Sequence, residues 1–490
     1  MKKNITQGGQ IIVQAMVLSS IAILLIGGLI GWAGTNIQVS RQSLDRERAI
    51  QFAEAGVDYY RWHLAHAPTD YQDGTGVAGP YVHDVTDKSG NVIGQFSLNI
   101  TPPIVGSTKV RIESTGIPPQ TPYLKRTIAV EMAIPSFAKY SVVANDNMRF
   151  GAGTEIFGPM HSNGGIRFDG LAHNVVTSAQ TSYDDPDHTG AVEFGVHTHV
   201  TAPPGSGVSN NFVPLEAPPS VVPSRIDVFE AGRQFPVPAT DFAGITSDLA
   251  QIKTDAQTAS GKYFAASGAQ GYLIIVKTDD TFDIYKVISQ TSAPSNCINV
   301  LAQTGWATWS VNTKQFIANY PIPANGLIFV EDNVWVEGQI NTARLTIAAG
   351  KFPDSPSTRP AITVNNNLLY TNYDGQDVLS LISQGNMNVG LVSADTLRID
   401  SALVAQNGRV GRYYYQGPGG GQNRCSPNHT RTSITLYGMI ATNIRYGFAY
   451  TDGTGYQTRL INYDANLLYG PPPSFPLTSD QYEILSWEEL

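Results

Sequence analysis

The side chains that could do chemistry are histidines and carboxylates. His161, His173, His188, His197 and His199 fall close together in the chain. His197 and His199 are two apart, so a strand would place both on one face, where they could hold a metal ion. No acid or cysteine stands at a convincing ligand spacing beside them. Solvated or turn histidines are therefore the expectation, and no metal ligand is assigned. Asp184-Asp185-Pro186-Asp187 and the acidic segment 374–377 could offer oxygens to Ca²⁺, which takes roughly six to eight of them. Neither matches an EF-hand loop, and both read as solvated loop acids.

Other constellations are thinner still. Gly74-x-Gly76-x-x-Gly79 has no preceding strand and no following helix, so it reads as a turn-rich loop rather than a dinucleotide site. A Gly-x-Ser-x-Gly elbow and a P-loop are absent from the sequence. Asp395, Arg398 and Asp400 share adjacent or equal faces of one expected strand, the kind of set a polysaccharide lyase or hydrolase would need. Fold analogy alone is not evidence of chemistry. No catalytic residue and no cofactor is assigned.

The composition bounds the elements that must carry these groups. The chain has 490 residues, enough for two to four domains, with 14% charged residues and a net charge of −9. That balance argues against nucleic-acid binding, which wants clustered Lys and Arg. With 47 Gly, 30 Pro and 10% aromatic residues, the composition suggests an all-β body rich in turns. There are two cysteines, Cys297 and Cys425, and no Cys-x-x-Cys. Outside the cytosol the two could pair, but their separation in sequence leaves open whether they meet.

The dominant element is the N-terminus. No charged residue interrupts residues 4–40, and residues 10–37 as a helix would be about 40 Å long, enough to span a bilayer with some tilt. Beyond Ser40 the helical period continues through Ala49, Phe52, Ala53, Val57, Tyr60 and Leu64, until Pro68 stops it. A secretory signal peptide would have a shorter apolar run with its cleavage site behind it. A plain single-pass anchor fits the length. Lys2 and Lys3 orient such a helix with the mass of the chain exported.

A third reading rests on the words that flank the helix. Lys2-Lys3, a few polar residues and then Gly8-Gly9 immediately before the apolar run resemble a prepilin peptidase site, with cleavage after Gly9 and Gln10 as the new N-terminus. FAEAGVDYYRWHL (52–64) resembles the corresponding segment of PilX-type and GspK-type minor pilins and pseudopilins. FGPMHSNGGIRF (157–168), GLIFVEDNVWVEGQI (326–340), SALVAQNGRVG (401–411) and the tail 463–489 resemble large bacterial pilus-assembly proteins with a PilX-like start. Major pilins carry Glu at the fifth mature position and usually Phe at the first; Gln14 and Gln10 stand there. In the family, that Glu is held to pair with a neighbour's N-terminal ammonium. A neutral amide at Gln14 cannot neutralise it, which points to a minor subunit. The resemblance implies other pilin subunits, the assembly machinery, prepilin peptidase and the inner membrane as partners, and an exported body at the cell surface after assembly.

The remaining chain reads as follows. Residues 1–9 form a leader and 10–67 the transmembrane and pilin helix. Residues 68–136 form a pilin-like β-meander from strands near 94–100, 108–114 and 124–134, packing on Phe52, Val57 and Tyr60. From 137–200, and again from 326–490, bursts of three to five apolar residues with Gly or Asn corners suggest a right-handed β-helix or solenoid rather than a sandwich. Asn-Gly at 163–164, 325–326 and 407–408 would supply left-handed corners. Tyr463, Leu467, Phe475 and Trp487 would cap its open end. Residues 201–325 read as a linker and a small α+β insertion, with a helix near 240–260 and a hairpin at 272–288. The fold class is thus mainly β with one long N-terminal transmembrane helix. The function expected is a non-catalytic filament subunit; a membrane-anchored lyase or hydrolase and an unprocessed surface adhesin are the alternatives.

Overall fold

A computed structural model describes residues 8–188, 192–204, 222–478 and 480–490. The apolar run and the amphipathic stretch after it form one helix, α1 (Gly8–His66), of 59 residues. The amide of Ala67 still donates to the His63 carbonyl at 2.8 Å, and Pro68 follows. With no N–H of its own, that proline ends the ladder. The chain divides into two compact units. One comprises residues 1–102, 109–133 and 480–490, and the other residues 103–108 and 134–479.

In the first unit, the C-terminal half of α1 packs on an antiparallel sheet. Its strands are β1 (Tyr81–Thr86), β2 (Val92–Thr101), β3 (Val110–Ile117), β4 (Arg126–Ala133) and β5 (Glu483–Glu489), in that spatial order. Alternation in β3 points Val110, Ile112 and Ser114 inward against the helix. Ala53, Val57, Tyr60 and Leu64 of α1 meet Phe96, Leu98, Val110, Ile112, Ile128, Val130 and Met132. Each large side chain so buried contributes about 1.5–3 kcal/mol. The close approach is made at glycine: a Cβ on Gly116 would lie 1.8 Å from the Ala49 carbonyl oxygen. The three expected strands are present, with β1 and β5 added at the edges. Trp487 therefore sits in β5, paired with Val130 of this sheet, and caps no coil. Asp70 gathers the chain after α1, accepting from the amides of Gln72 (2.8 Å) and Gly74 (2.7 Å). Gly74 and Gly76 take left-handed φ values in that loop.

The second unit is built from ladders of short parallel strands. One ladder runs Lys262–Phe264, Leu327–Val330, Arg344–Ala349, Val378–Ser383, Thr396–Ala405, Thr430–Thr442, Val142–Ala144, Met160–Ser162 and Val176–Ser178. A second joins Gly271–Val276, Val334–Ile340, Ile362–Thr363, Met387–Val389 and Val410–Arg412. A third passes through Leu368–Tyr370, Gly455–Tyr463, Thr154–Phe157 and Leu171–Ala172. Ile156, Ile328, Ile347, Leu381, Leu403, Ile440 and Ile461 form part of a continuous apolar core. Each rung is too short to bury its side chains alone and does so by stacking on the next.

Spatial order departs from chain order. The first body section follows the last: Ile440 pairs with Val142, and Leu460 with Glu155. Within residues 222–325, Lys262 pairs with Ile328 and Tyr272 with Val334, so Lys262–Phe264 and Gly271–Val276 are opening rungs of the ladders, while Thr281–Gln290 pairs antiparallel with Gly271–Val276 as the expected hairpin. The helix expected in this segment is α2 (Ala243–Ala256). Phe242, Leu249, Ile252 and Ala256 pack on Phe137, Val143, Phe329, Ala348, Ile382 and Met439, forming a second apolar layer outside the first ladder. Leu467 and Phe475 join that layer. Of the three Asn-Gly corners only Gly326 is left-handed (φ 66°). Gly164 and Gly408 instead permit contact between rungs: a Cβ would stand 2.5 Å from the Asn147 amide nitrogen and 2.7 Å from the Gly385 carbonyl carbon.

Candidate functional site

The N-terminal half of α1 is bare. Ile11, Val13, Met16, Leu18, Leu24 and Trp32 are all exposed, and none of the most apolar window is covered by the rest of the chain. Among the described residues this is the one helix long and apolar enough to cross a membrane. Its hydroxyls are satisfied internally: Ser20 donates to the Met16 carbonyl (2.8 Å) and Thr35 to that of Trp32 (2.8 Å). That is what a helix in hydrocarbon requires. Gly27, Gly28, Gly31 and Gly34 have open space around them. Gln10 and Gln14 lie exposed on this half. Gly9 and Gln10 fall in the first turns of α1, whereas most of the expected leader, residues 1–7, lies outside the described residues. The covered half of the helix begins near Asp45, whose carboxylate accepts from the Thr121 hydroxyl (2.9 Å), and Ala49, which is fully buried.

The histidines fall into separate environments. His161 is buried between the Thr177 hydroxyl (3.0 Å) and the Asn163 side chain (3.1 Å), and burial lowers its pKa. His173 bridges Glu155 (2.9 Å) and Glu230 (2.7 Å). Burial opposes its protonation, but the two carboxylates win and raise its pKa. His188, His197 and His199 come together, and with them Glu193, which the linear spacing did not single out, and Asp185, which is buried rather than the solvated loop acid expected.

The fold assembles that group in two steps. Strands Met148–Phe150, Ile166–Phe168 and Val196–His197 stack in parallel, with Phe150, Phe168 and Val196 in the core. Arg149, Arg167 and the buried His197 therefore occupy the opposite face. A hairpin made by Ser182–Tyr183 and Glu193–Phe194 then brings the segment around Asp185 and His188 over that face. Tyr183 packs on His197 (ring centroids 5.5 Å) and against Gly165. Arg167 binds Asp169 (2.8 Å) and reaches Asp185 (3.5 Å). Burial works against the Asp185 carboxylate, but hydrogen bonding, His197 and Arg167 prevail and hold it well below the usual range. Burial raises the pKa of Glu193 and lowers that of His199 to about 4.

The groups considered for a lyase do not all converge. Arg398 bonds Asp400 at 2.8 Å, and the buried Asp400 also accepts from the Tyr373 hydroxyl (2.6 Å) and the Tyr370 amide (3.1 Å). Asp395 is occupied elsewhere, by the Thr432 hydroxyl and amide. In the segment 374–377, buried Asp377 accepts from the amides of Ala343 (3.0 Å), Thr371 (2.8 Å) and Asn372 (2.6 Å), so it braces turns. Cys297 and Cys425 are joined by a disulfide, beside Leu391, Tyr413 and Tyr415.

No family model matches the chain, and no curated protein matches it. Among solved structures it is similar to the competence-associated pilin ComZ from Thermus thermophilus, at 13% identity and a TM-score of 0.30. That alignment covers 91% of this chain and 98% of ComZ. A likeness at this level establishes neither shared fold nor shared function.

Proposed function

We propose that this chain is a non-catalytic, minor-pilin-like subunit of a type IV pilus or related secretion filament, of the PilX type. The observation that carries the reading is the division of α1. Its apolar N-terminal half touches nothing, while its C-terminal half is packed on an antiparallel sheet. A helix so divided can anchor a subunit in the inner membrane and later exchange lipid for neighbouring helices. In this reading, prepilin peptidase cuts after Gly9, Gln10 becomes the N-terminus, and Gln14 makes the subunit a poor repeating unit of a fibre. The three ladders of the second unit form a β-helix body, exported and displayed on the filament for assembly or adhesion.

Expression with and without a prepilin peptidase, followed by mass spectrometry of the purified chain, tests the reading. A new N-terminus at Gln10 only with the peptidase is the expected result. An unchanged N-terminus in both cells, with the chain absent from sheared filaments, would leave an unprocessed anchored adhesin.

A further inference from the structure

We propose that His188, Glu193 and His199 form a binding site for one divalent transition-metal ion of the zinc class. One ligand atom from each lies within 4.8 Å of the others. Tetrahedral ligands about 2.0–2.1 Å from an ion stand about 3.4 Å from one another, so small side-chain rotations complete the cage. Glu193 supplies the independent pointer. Its side chain is fully buried, and Oε2 accepts from the Asp185 amide at 3.2 Å. Its Oε1 lies 2.6 Å from His188 Nδ1 and 3.9 Å from His199 Nε2, ion-pair distances when a ring is protonated, and no other donor among the described residues bonds it. A buried carboxylate oxygen aimed between two imidazoles is costly unless positive charge meets it, and one metal ion shared with both rings supplies that charge with the rings neutral.

An overlapping set, Asp185 with His197 and His199, is the weaker one. Asp185 already has Arg167 at 3.5 Å and the Asp187 amide at 3.0 Å. The guanidinium there would repel a second cation, and we assign His197 and Asp185 to the wall of the site. Two imidazoles and one carboxylate suit zinc, which takes nitrogen and oxygen ligands in fours; they do not suit Ca²⁺, which wants an all-oxygen shell. His188 comes from the hairpin's loop, Glu193 from its returning strand, and His199 from the segment after Val196–His197. An ion held by all three would fasten the hairpin to the ladder, a structural role consistent with a site built from consecutive pieces of one short segment.

The test uses the full, untagged chain in detergent, stripped with a chelator, reloaded with Zn²⁺ and dialysed, with metal content measured by atomic emission. The expected result is about one equivalent per chain, lost in His188→Ala and in Glu193→Gln and kept in His173→Ala. His188 is partly exposed on its loop, so its variant keeps the far-ultraviolet circular dichroism of the parent. Substitution with Co²⁺ should give the intense ligand-field bands of a four-coordinate ion in the parent only. A parent chain that retains no zinc, or a His188→Ala chain that retains the full equivalent, overturns the proposal.

Discussion

Ile440 and Val142 face each other across a parallel pair of strands, although nearly three hundred residues separate them in the chain. Both are fully buried. The pairing closes the body at its middle: the rungs that end at residue 463 and those that begin at residue 142 share one core. A body joined there should unfold as one cooperative unit, because neither set of rungs can cover its terminal apolar edge alone. Ile440→Ala should therefore cost about 3 kcal/mol and shift a single unfolding transition of the body. Denaturant titration followed by tyrosine and tryptophan fluorescence checks it; two separated transitions would show that the sections fold apart.

Cys297 and Cys425 close a loop of 128 residues. In the chain-entropy view a link of that length stabilises by roughly 5 kcal/mol, of which part is often lost to other effects. The double substitution Cys297→Ala with Cys425→Ala removes the bond without leaving a buried thiol behind. Its denaturant midpoint should fall well below that of the oxidised parent, and reduction of the parent should reproduce the fall. A variant as stable as the parent under both conditions would contradict this.

Gly116 is the point where β3 meets α1. A methyl group there would collide with the Ala49 carbonyl oxygen, which belongs to the helix backbone and cannot rotate away. Gly116→Ala should destabilise the first unit by about 3 kcal/mol, with faster amide exchange in the helix from Ala49 to Leu64. Gly151, which has no atom near a Cβ and no left-handed φ, is the control for the same substitution without crowding.

What could be read from residue types follows from where each signal is written. Helix α1 was legible because its apolar run and the later period from Ala49 to Leu64 are local. Strands β2, β3 and β4 were legible because one face of each is buried. Strand β5 was not, since it pairs at an edge with most of its side chains exposed, so Ile484 and Trp487 carry no alternation. The order of rungs was hidden because every rung has the same short apolar pattern, and nothing near Val142 names Ile440 as its neighbour. Glu193 was missed, and Asp185 reads as a solvated loop acid, for a similar reason. Both reach His197 and His199 through a hairpin, and linear ligand spacing has no term for a chain that folds back.

His161 sets the pH response of the core next to it. It is buried with the Thr177 hydroxyl and the Asn163 side chain as partners, Tyr140 stacked on its ring at 5.3 Å, and the Lys139 charge nearby. Burial is the main cause of its lowered pKa, and Lys139 works in the same direction. An unfolded histidine takes a proton near pH 6.5. Below that value the unfolded chain binds a proton that the folded chain refuses, so stability falls as the pH drops until the folded ring also titrates. His161→Gln keeps a hydrogen-bonding side chain without the titration. The difference in stability between parent and variant should thus change between pH 7 and pH 5, with the parent losing more. Paired denaturant titrations at the two pH values measure it, and an equal loss in both proteins would mean that His161 is protonated as readily folded as unfolded.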